Sequence, residues 1–169
     1  DGRIYEGDSA ASSVSNGEYR QVGDHLGIVA VDKPIEIELA KFGSDKGTDT
    51  PDKALAGATF RIGGVFADGE TGVETVRELS MEGGTCTLRH LVAGNVYRLW
   101  EVAAPAGYKL IEGTLSFRVH ADGTIEQVDA EESSFANGSM SIAEDAVSVQ
   151  AVDDPIELSL VKKDEAGDK

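Results

Sequence analysis

Shifted against itself by 121 positions, the sequence realigns without a gap, residues 1–41 falling on residues 122–162. Asp1-Gly2 meets Asp122-Gly123, and Asn16-Gly17 meets Asn137-Gly138. Ala30-Val31-Asp32 meets Ala151-Val152-Asp153, Pro34-Ile35-Glu36 meets Pro155-Ile156-Glu157, and Lys41 meets Lys162. Self-similarity at one fixed period marks tandem modules rather than a bias of composition. It also fixes the length of the folding unit and brings its first and last segments into view. On this reading residues 1–32 are the end of one module, 33–154 a complete module, and 155–169 the first strand of a following one.

Within the complete module the signals are those of an all-β domain. Ile35-Glu36-Ile37-Glu38-Leu39 alternates cleanly, as does Leu115-Ser116-Phe117-Arg118-Val119. Other short β-branched and aromatic runs are separated by turn markers at Gly63-Gly64, Asp68-Gly69, Gly83-Gly84, Ala93-Gly94-Asn95, Pro105-Ala106-Gly107, Asp122-Gly123 and Asn137-Gly138. Strands at this spacing predict a β-sandwich or a partly closed barrel. No long stretch has helical periodicity, and Ser44 to Lys53 reads as an extended loop.

Composition narrows the function classes. A hydrophobic content of 40% supports a real core. Fifteen Lys and Arg against 31 Asp and Glu, a net charge of -16, argue against nucleic acid or an anionic membrane as partner. No apolar run approaches the roughly 20 residues of a membrane span. The single cysteine, Cys86, has no partner for an internal disulfide and, in phase with Leu88, reads as a buried core thiol.

Counting by twos brings out three charges, because alternate residues of a strand share a face. Ile35, Ile37 and Leu39 line one face of the module's first strand, and the next residue in phase is Lys41. Tyr97 and Leu99 are followed in phase by Glu101, and Val147, Val149 and Ala151 by Asp153. The flanking copies repeat the placement at Asp32, after Leu26, Ile28 and Ala30, and at Lys162, after Ile156, Leu158 and Leu160. A charge at the rim of a sheet, reaching water, accounts for any one of these; a buried salt bridge accounts for all three at a high desolvation cost. The chemical reading is that burial favours a neutral amine and protonated carboxyls. A neutral Lys41 held against the carboxyl carbon of Asp153, with Glu101 moving protons, could form an amide with loss of water.

Four runs then carry a resemblance. Leu39-Ala40-Lys41, Ala54-Leu55-Ala56-Gly57-Ala58-Thr59-Phe60, Leu91-Val92-Ala93-Gly94-Asn95-Val96-Tyr97 and Glu101-Val102-Ala103-Ala104-Pro105-Ala106-Gly107-Tyr108 together resemble the B-type domain of collagen adhesins and the SpaA-like domain of Gram-positive pilins. The resemblance implies a transthyretin-like (prealbumin-like) Greek-key β-sandwich of reverse immunoglobulin-like topology; the residues themselves call for no cofactor and no metal. It further implies a self-formed isopeptide bond with Lys41 as the amine, Glu101 as the assisting acid and Asp153 as the acceptor, with Asp32 and Lys162 at the equivalent places of the flanking copies. Two departures stand out: the family's acceptor is commonly Asn, and the place two residues after the Lys, often Asp, is here Gly43. Lys162-Lys163-Asp164 keeps the common form.

The function these readings predict is a stalk or spacer module of a cell-wall-attached adhesin or pilus-like protein, extracellular on a Gram-positive bacterium. Its expected partners are neighbouring repeats, with host surface or matrix proteins reached through other domains. Only eight residues separate Asp32 from Lys41, and Pro34 stiffens them. The alternative is a ligand-binding adhesin domain using the Trp100 side of a sheet; repetition favours the spacer. An enzyme with turnover finds no support, since His25, His90 and His120 lie in unrelated contexts and no Gly-x-Ser-x-Gly appears. Asp122-Gly123 and Asp68-Gly69 read as turns rather than calcium loops.

Overall fold

The computed structural model describes residues 17–21, 28–44, 53–68, 71–129 and 134–162. These residues fold as strands and turns, with no helix among them. In chain order the strands are β1 (Gly17–Gln21), β2 (Ile28–Asp32), β3 (Ile37–Gly43), β4 (Lys53–Ala54), β5 (Thr59–Asp68) and β6 (Thr71–Ser80). They continue with β7 (Thr85–Leu88), β8 (Val96–Ala103), β9 (Leu115–Val119), β10 (Ile125–Gln127), β11 (Gly138–Ile142) and β12 (Ser148–Asp153).

Two sheets make a sandwich. One is ordered β10-β9-β8-β5-β6, the other β11-β12-β3-β4 with β7 also on β3. The inward faces are the apolar positions of the alternating runs: Ile37 and Leu39, Phe60 and Ile62, Tyr97 and Leu99, Leu115 and Phe117, Val149 and Ala151 are all buried. Each large side chain buried in this way contributes about 1.5–3 kcal/mol. Tyr97 anchors the middle, stacked on Phe117 with ring centroids 5.8 Å apart and meeting Phe66 edge-on at 5.4 Å.

The first and last strands of the module, β3 and β12, lie side by side in the one parallel pairing among the described residues, with Lys41 opposite Ala151 and Gly43 opposite Asp153. The other edge of β3 is shared end to end by β4 and β7. The break between those two is closed at Lys41, whose N–H donates to Gly84 O at 2.8 Å and whose carbonyl accepts from Leu55 N at 2.9 Å. Lys41 is thereby held by backbone on both sides before its side chain makes any contact.

Several sequence expectations change in the structure. Gly63-Gly64, read as a turn, lies in the middle of β5. A Cβ on Gly64 would stand 2.4 Å from the Tyr97 ring, so glycine is there to admit an aromatic, not to turn the chain. Cys86 is half-buried against the core rather than enclosed, and burial raises its thiol pKa. Val147 precedes β12 and is exposed, so the apolar face of that strand begins at Val149. Of the Ser44 to Lys53 loop, Ser44 is buried and Lys53 opens β4; residues 45–52, like His25, Gly69 and Lys163-Asp164, lie outside the described residues.

The offset of 121 recurs in the strand pairing. In the β1–β2 hairpin Gly17 faces Asp32, Tyr19 faces Ala30 and Gln21 faces Ile28. In the β11–β12 hairpin Gly138 faces Asp153, Met140 faces Ala151 and Ile142 faces Val149. Adding 121 to each member of the first ladder gives the second.

Candidate functional site

The structure brings Lys41, Glu101 and Asp153 together at one end of the core. Lys41 and Asp153 come from neighbouring strands of one sheet; Glu101 comes from β8 in the facing sheet, opposite Phe60 of β5. Lys41 and Asp153 have 0% relative exposure and Glu101 has 4%. Lys41 Nζ touches Asp153 Oδ1 and lies 3.1 Å from Glu101 Oε1. The Phe60 ring lies beneath the amine, its centroid 5.4 Å from Nζ.

Glu101 has a neighbour at each oxygen, whereas Asp153 has one at Oδ1 alone. Ile111 N donates to Glu101 Oε2 at 2.8 Å, which aims Oε1 at the amine. Among the described residues neither Glu101 Oε1 nor Asp153 Oδ2 has a hydrogen-bond partner, the former meeting Nζ as an ion pair. The Asp153 backbone is fixed by Ser44, whose N–H donates to Asp153 O at 3.0 Å and whose hydroxyl donates to it at 3.4 Å. A buried polar atom without a partner needs a reason beyond stability.

Burial governs the protonation of both acids. It pushes the Asp153 carboxyl up from 3.8 to about 6, with Lys41 pulling the other way and Glu101 and Asp154 adding to the rise. Glu101 is also raised by burial, against the charge of Lys41 and the Ile111 hydrogen bond. An amine and two carboxyls, both raised by burial, share one dry space. Such an arrangement supplies the nucleophile, the electrophile and the proton acceptor of an amide-forming step.

Sequence reasoning named the three charges but not what holds them. Phe60, Ile111 and Ser44 carry no period-two signal of their role. Gly43 was visible as a departure from the family pattern: a Cβ there would stand 2.5 Å from the Tyr108 ring, so the glycine lets that tyrosine lie across the end of β3 beside the site. Asp154, out of phase with the inward face, is half-buried and does not meet the amine. Lys162 is exposed and does not join the cluster; Asp32 ends β2.

Comparison with known proteins places the chain in a family. No curated protein matches the chain. Among solved structures it is similar to the pilus adhesin SpaC from Lactobacillus rhamnosus GG in its open conformation, with 19% identity and a TM-score of 0.47 over 86% of this chain. It is also similar to the pilus adhesin RrgA from Streptococcus pneumoniae, with 20% identity and a TM-score of 0.47 over 77% of this chain. The chain spans 18% and 16% of the length of those proteins. The family model of the SpaA prealbumin-like fold domain matches residues 36–134, a span that contains Lys41 and Glu101 and stops short of Asp153. Residues 36–134 make up more than half of the sequence, and the chain belongs to the SpaA prealbumin-like domain family.

Proposed function

We propose that residues 33–154 are a stalk or spacer module of a cell-wall-attached surface protein, tied by an isopeptide bond that the module forms within itself. The observation that carries this reading is an amine with no exposure, closed between two carboxyls whose free oxygens have no other partner. In the proposed step Glu101 takes a proton from the Lys41 ammonium and passes it to the Asp153 carboxylate, and the neutral Nζ attacks Cγ of the carboxylic acid so formed. The Nζ–Cγ bond forms, a carboxyl oxygen of Asp153 departs as water with protons relayed through Glu101, and Glu101 ends as it began. An ammonium and a carboxylate become one amide and one water. Lys41 and Asp153 are consumed, so the step happens once per molecule and the protein is not a turnover enzyme.

The stalk role follows from where the bond lies. It joins the first strand of the module to the last, across 112 residues of sequence. The repeat in sequence and the repeated hairpin register support further modules on either side, with residues 1–32 ending one and 155–169 opening another. A surface protein of a Gram-positive bacterium is the setting that family membership supports. Trp100, on which a ligand-binding reading would rest, is half covered on the outer side of β8.

Intact mass under denaturing conditions tests the bond. The parent is expected one water lighter than its sequence, and Lys41→Ala at the full mass of its own sequence. A parent of unshifted mass sinks the proposal. Glu101→Ala tests the assisting role separately, and cross-linking at the parental rate would reduce Glu101 to a buried neighbour.

A further inference from the structure

The chain beyond Asp153 is not released at once. Lys109 N donates to Asp154 O at 2.9 Å, Ile156 N donates to Gly107 O at 2.8 Å, and Tyr108 forms a β-bridge with Pro155. The Pro105–Leu110 loop thus grips the three residues that leave the module. The loop is itself closed by Tyr108 N donating to Pro105 O at 3.1 Å, with Gly107 at a φ of 90° that favours glycine. Next along the loop is Leu110, 39% exposed.

The offset of 121 makes Asp154-Pro155-Ile156-Glu157 the counterpart of Lys33-Pro34-Ile35-Glu36, the segment that leads into β3. At that leading end, Pro34 and Glu36 line a groove of ≈ 480 Å³ whose other side is the Asp122-Gly123 turn and Val147. Val147 is 40% exposed there. One four-residue segment therefore has two sets of neighbours. Its contacts with the module behind are seen at residues 154–156, and its contacts with the module ahead are seen at residues 33–36.

We infer that in tandem the Pro105–Leu110 loop of one module seats in the groove beside Asp122-Gly123 and Val147 of the next, so that the joint is an interface and not a hinge. This rests on the tandem-module reading above. The chemistry of the two sides agrees. Leu110 brings an exposed apolar side chain to Val147. Lys109 brings a cation to a groove that holds Asp122 and, in the joint, Asp154 in place of Lys33 and Glu157 in place of Glu36. Ile35 packs against its own module's core, whereas its counterpart Ile156 is 63% exposed; a following module supplies the missing cover.

The test uses an internal duplication in which residues 1–162 are followed directly by residues 42–169. The fusion falls where Lys162 and Lys41 are equivalent, so the natural joint is kept and two complete modules result. With Cys86→Ser in both copies, spin labels are placed through Glu112→Cys in the first copy and Glu144→Cys in the second, both exposed positions outside the proposed contact. One narrow distance distribution is expected. It should broaden at least about twofold on Leu110→Asp in the first copy or Val147→Asp in the second, and stay narrow on Val76→Asp, exposed on the remote edge strand β6. A broad distribution before any of these changes, or a narrow one indifferent to both interface substitutions, overturns the interface. Amide-exchange protection of β3 and β12 is read on the same sample. Two protected copies with a broad distribution remove the interface alone; a single protected copy removes the tandem-module reading along with it.

Discussion

Lys41→Met removes the amine while keeping most of the stem that fills the space over Phe60, so its effect isolates the chemistry of the cluster. Two terms add. The first is the covalent tie: closing a loop of 112 residues corresponds to about 5 kcal/mol in the chain-entropy description used for disulfides. The second is electrostatic and depends on pH. Even with Lys41 beside it, burial raises the Asp153 carboxyl from 3.8 to about 6, so an unreacted Asp153 takes up a proton on folding. Stability linked to a raised carboxyl is fully present below the unfolded value and is lost as pH rises through the folded one. Over the interval from 3.8 to about 6 the loss is about 3 kcal/mol. Without Lys41 the opposing pull disappears, so the interval extends above 6 and Glu101 adds in the same direction. A cross-linked parent would have an amide at this position and no carboxyl to titrate. Denaturant unfolding of parent and variant should therefore differ by about 5 kcal/mol near pH 4 and by at least about 8 kcal/mol near pH 7.5. The larger figure is of the order of a whole domain's stability. A gap of equal size at both pH values would refute the account of buried carboxyls, and no gap at all would refute the tie.

Asp153→Asn should still cross-link, with ammonia leaving in place of water, and the product should have the same mass as the cross-linked parent; a mass equal to the unreacted Asn sequence refutes the proposed attack at Cγ. Gly64→Ala should cost about 1–3 kcal/mol, because its Cβ meets the Tyr97 ring at 2.4 Å, whereas Gly63→Ala, whose nearest neighbour is 3.5 Å away, should stay within about 0.5 kcal/mol. Equal melting temperatures for the two variants would contradict the reading of β5. Tyr97→Phe removes a hydroxyl that donates to Val65 O and accepts from Val92 N at 2.6 Å. A loss of about 1–3 kcal/mol with faster amide exchange at Val92 is expected, and unchanged exchange would show that Val92 N finds another acceptor.

The sequence pattern exposed the site because period two reports which face a residue occupies, and three faces that end in a charge are visible without knowing how the sheets are stacked. It could not report which strands and loops become neighbours. Phe60 faces Glu101 through the pairing of β5 with β8, and Ile111 N reaches Glu101 from a loop, so both depend on tertiary placement. Gly63-Gly64 misled for the same reason, since a glycine pair that admits an aromatic ring from a neighbouring strand looks in sequence like one that turns the chain. Gly43 is the instructive case. As a departure from the usual residue it was visible, yet its cause, the ring of Tyr108, sits 65 positions further along the chain.

The position of the cluster within the parallel pair decides how the module would carry load. Tension applied along the chain enters at the start of β3 and leaves after Asp153 at the end of β12, so the two strands are pulled along their lengths in opposite directions. Without a bond, the hydrogen bonds between Glu38–Gly43 and Ser148–Asp153 share that shear, and their failure frees everything between them. With the bond, the load runs from Ile37 to Lys41, crosses to Asp153 and leaves, and the 111 residues between the joined positions are bypassed. At about 3.3–3.6 Å per extended residue, that bypassed length is about 400 Å. Pulled from its two ends, Lys41→Met should therefore show an extension step approaching about 400 Å less the folded end-to-end distance. The parent should show no such step up to forces that break covalent handles. A step of this size in the parent would mean that the first and last strands are not joined, whatever else holds the amine between its two carboxyls.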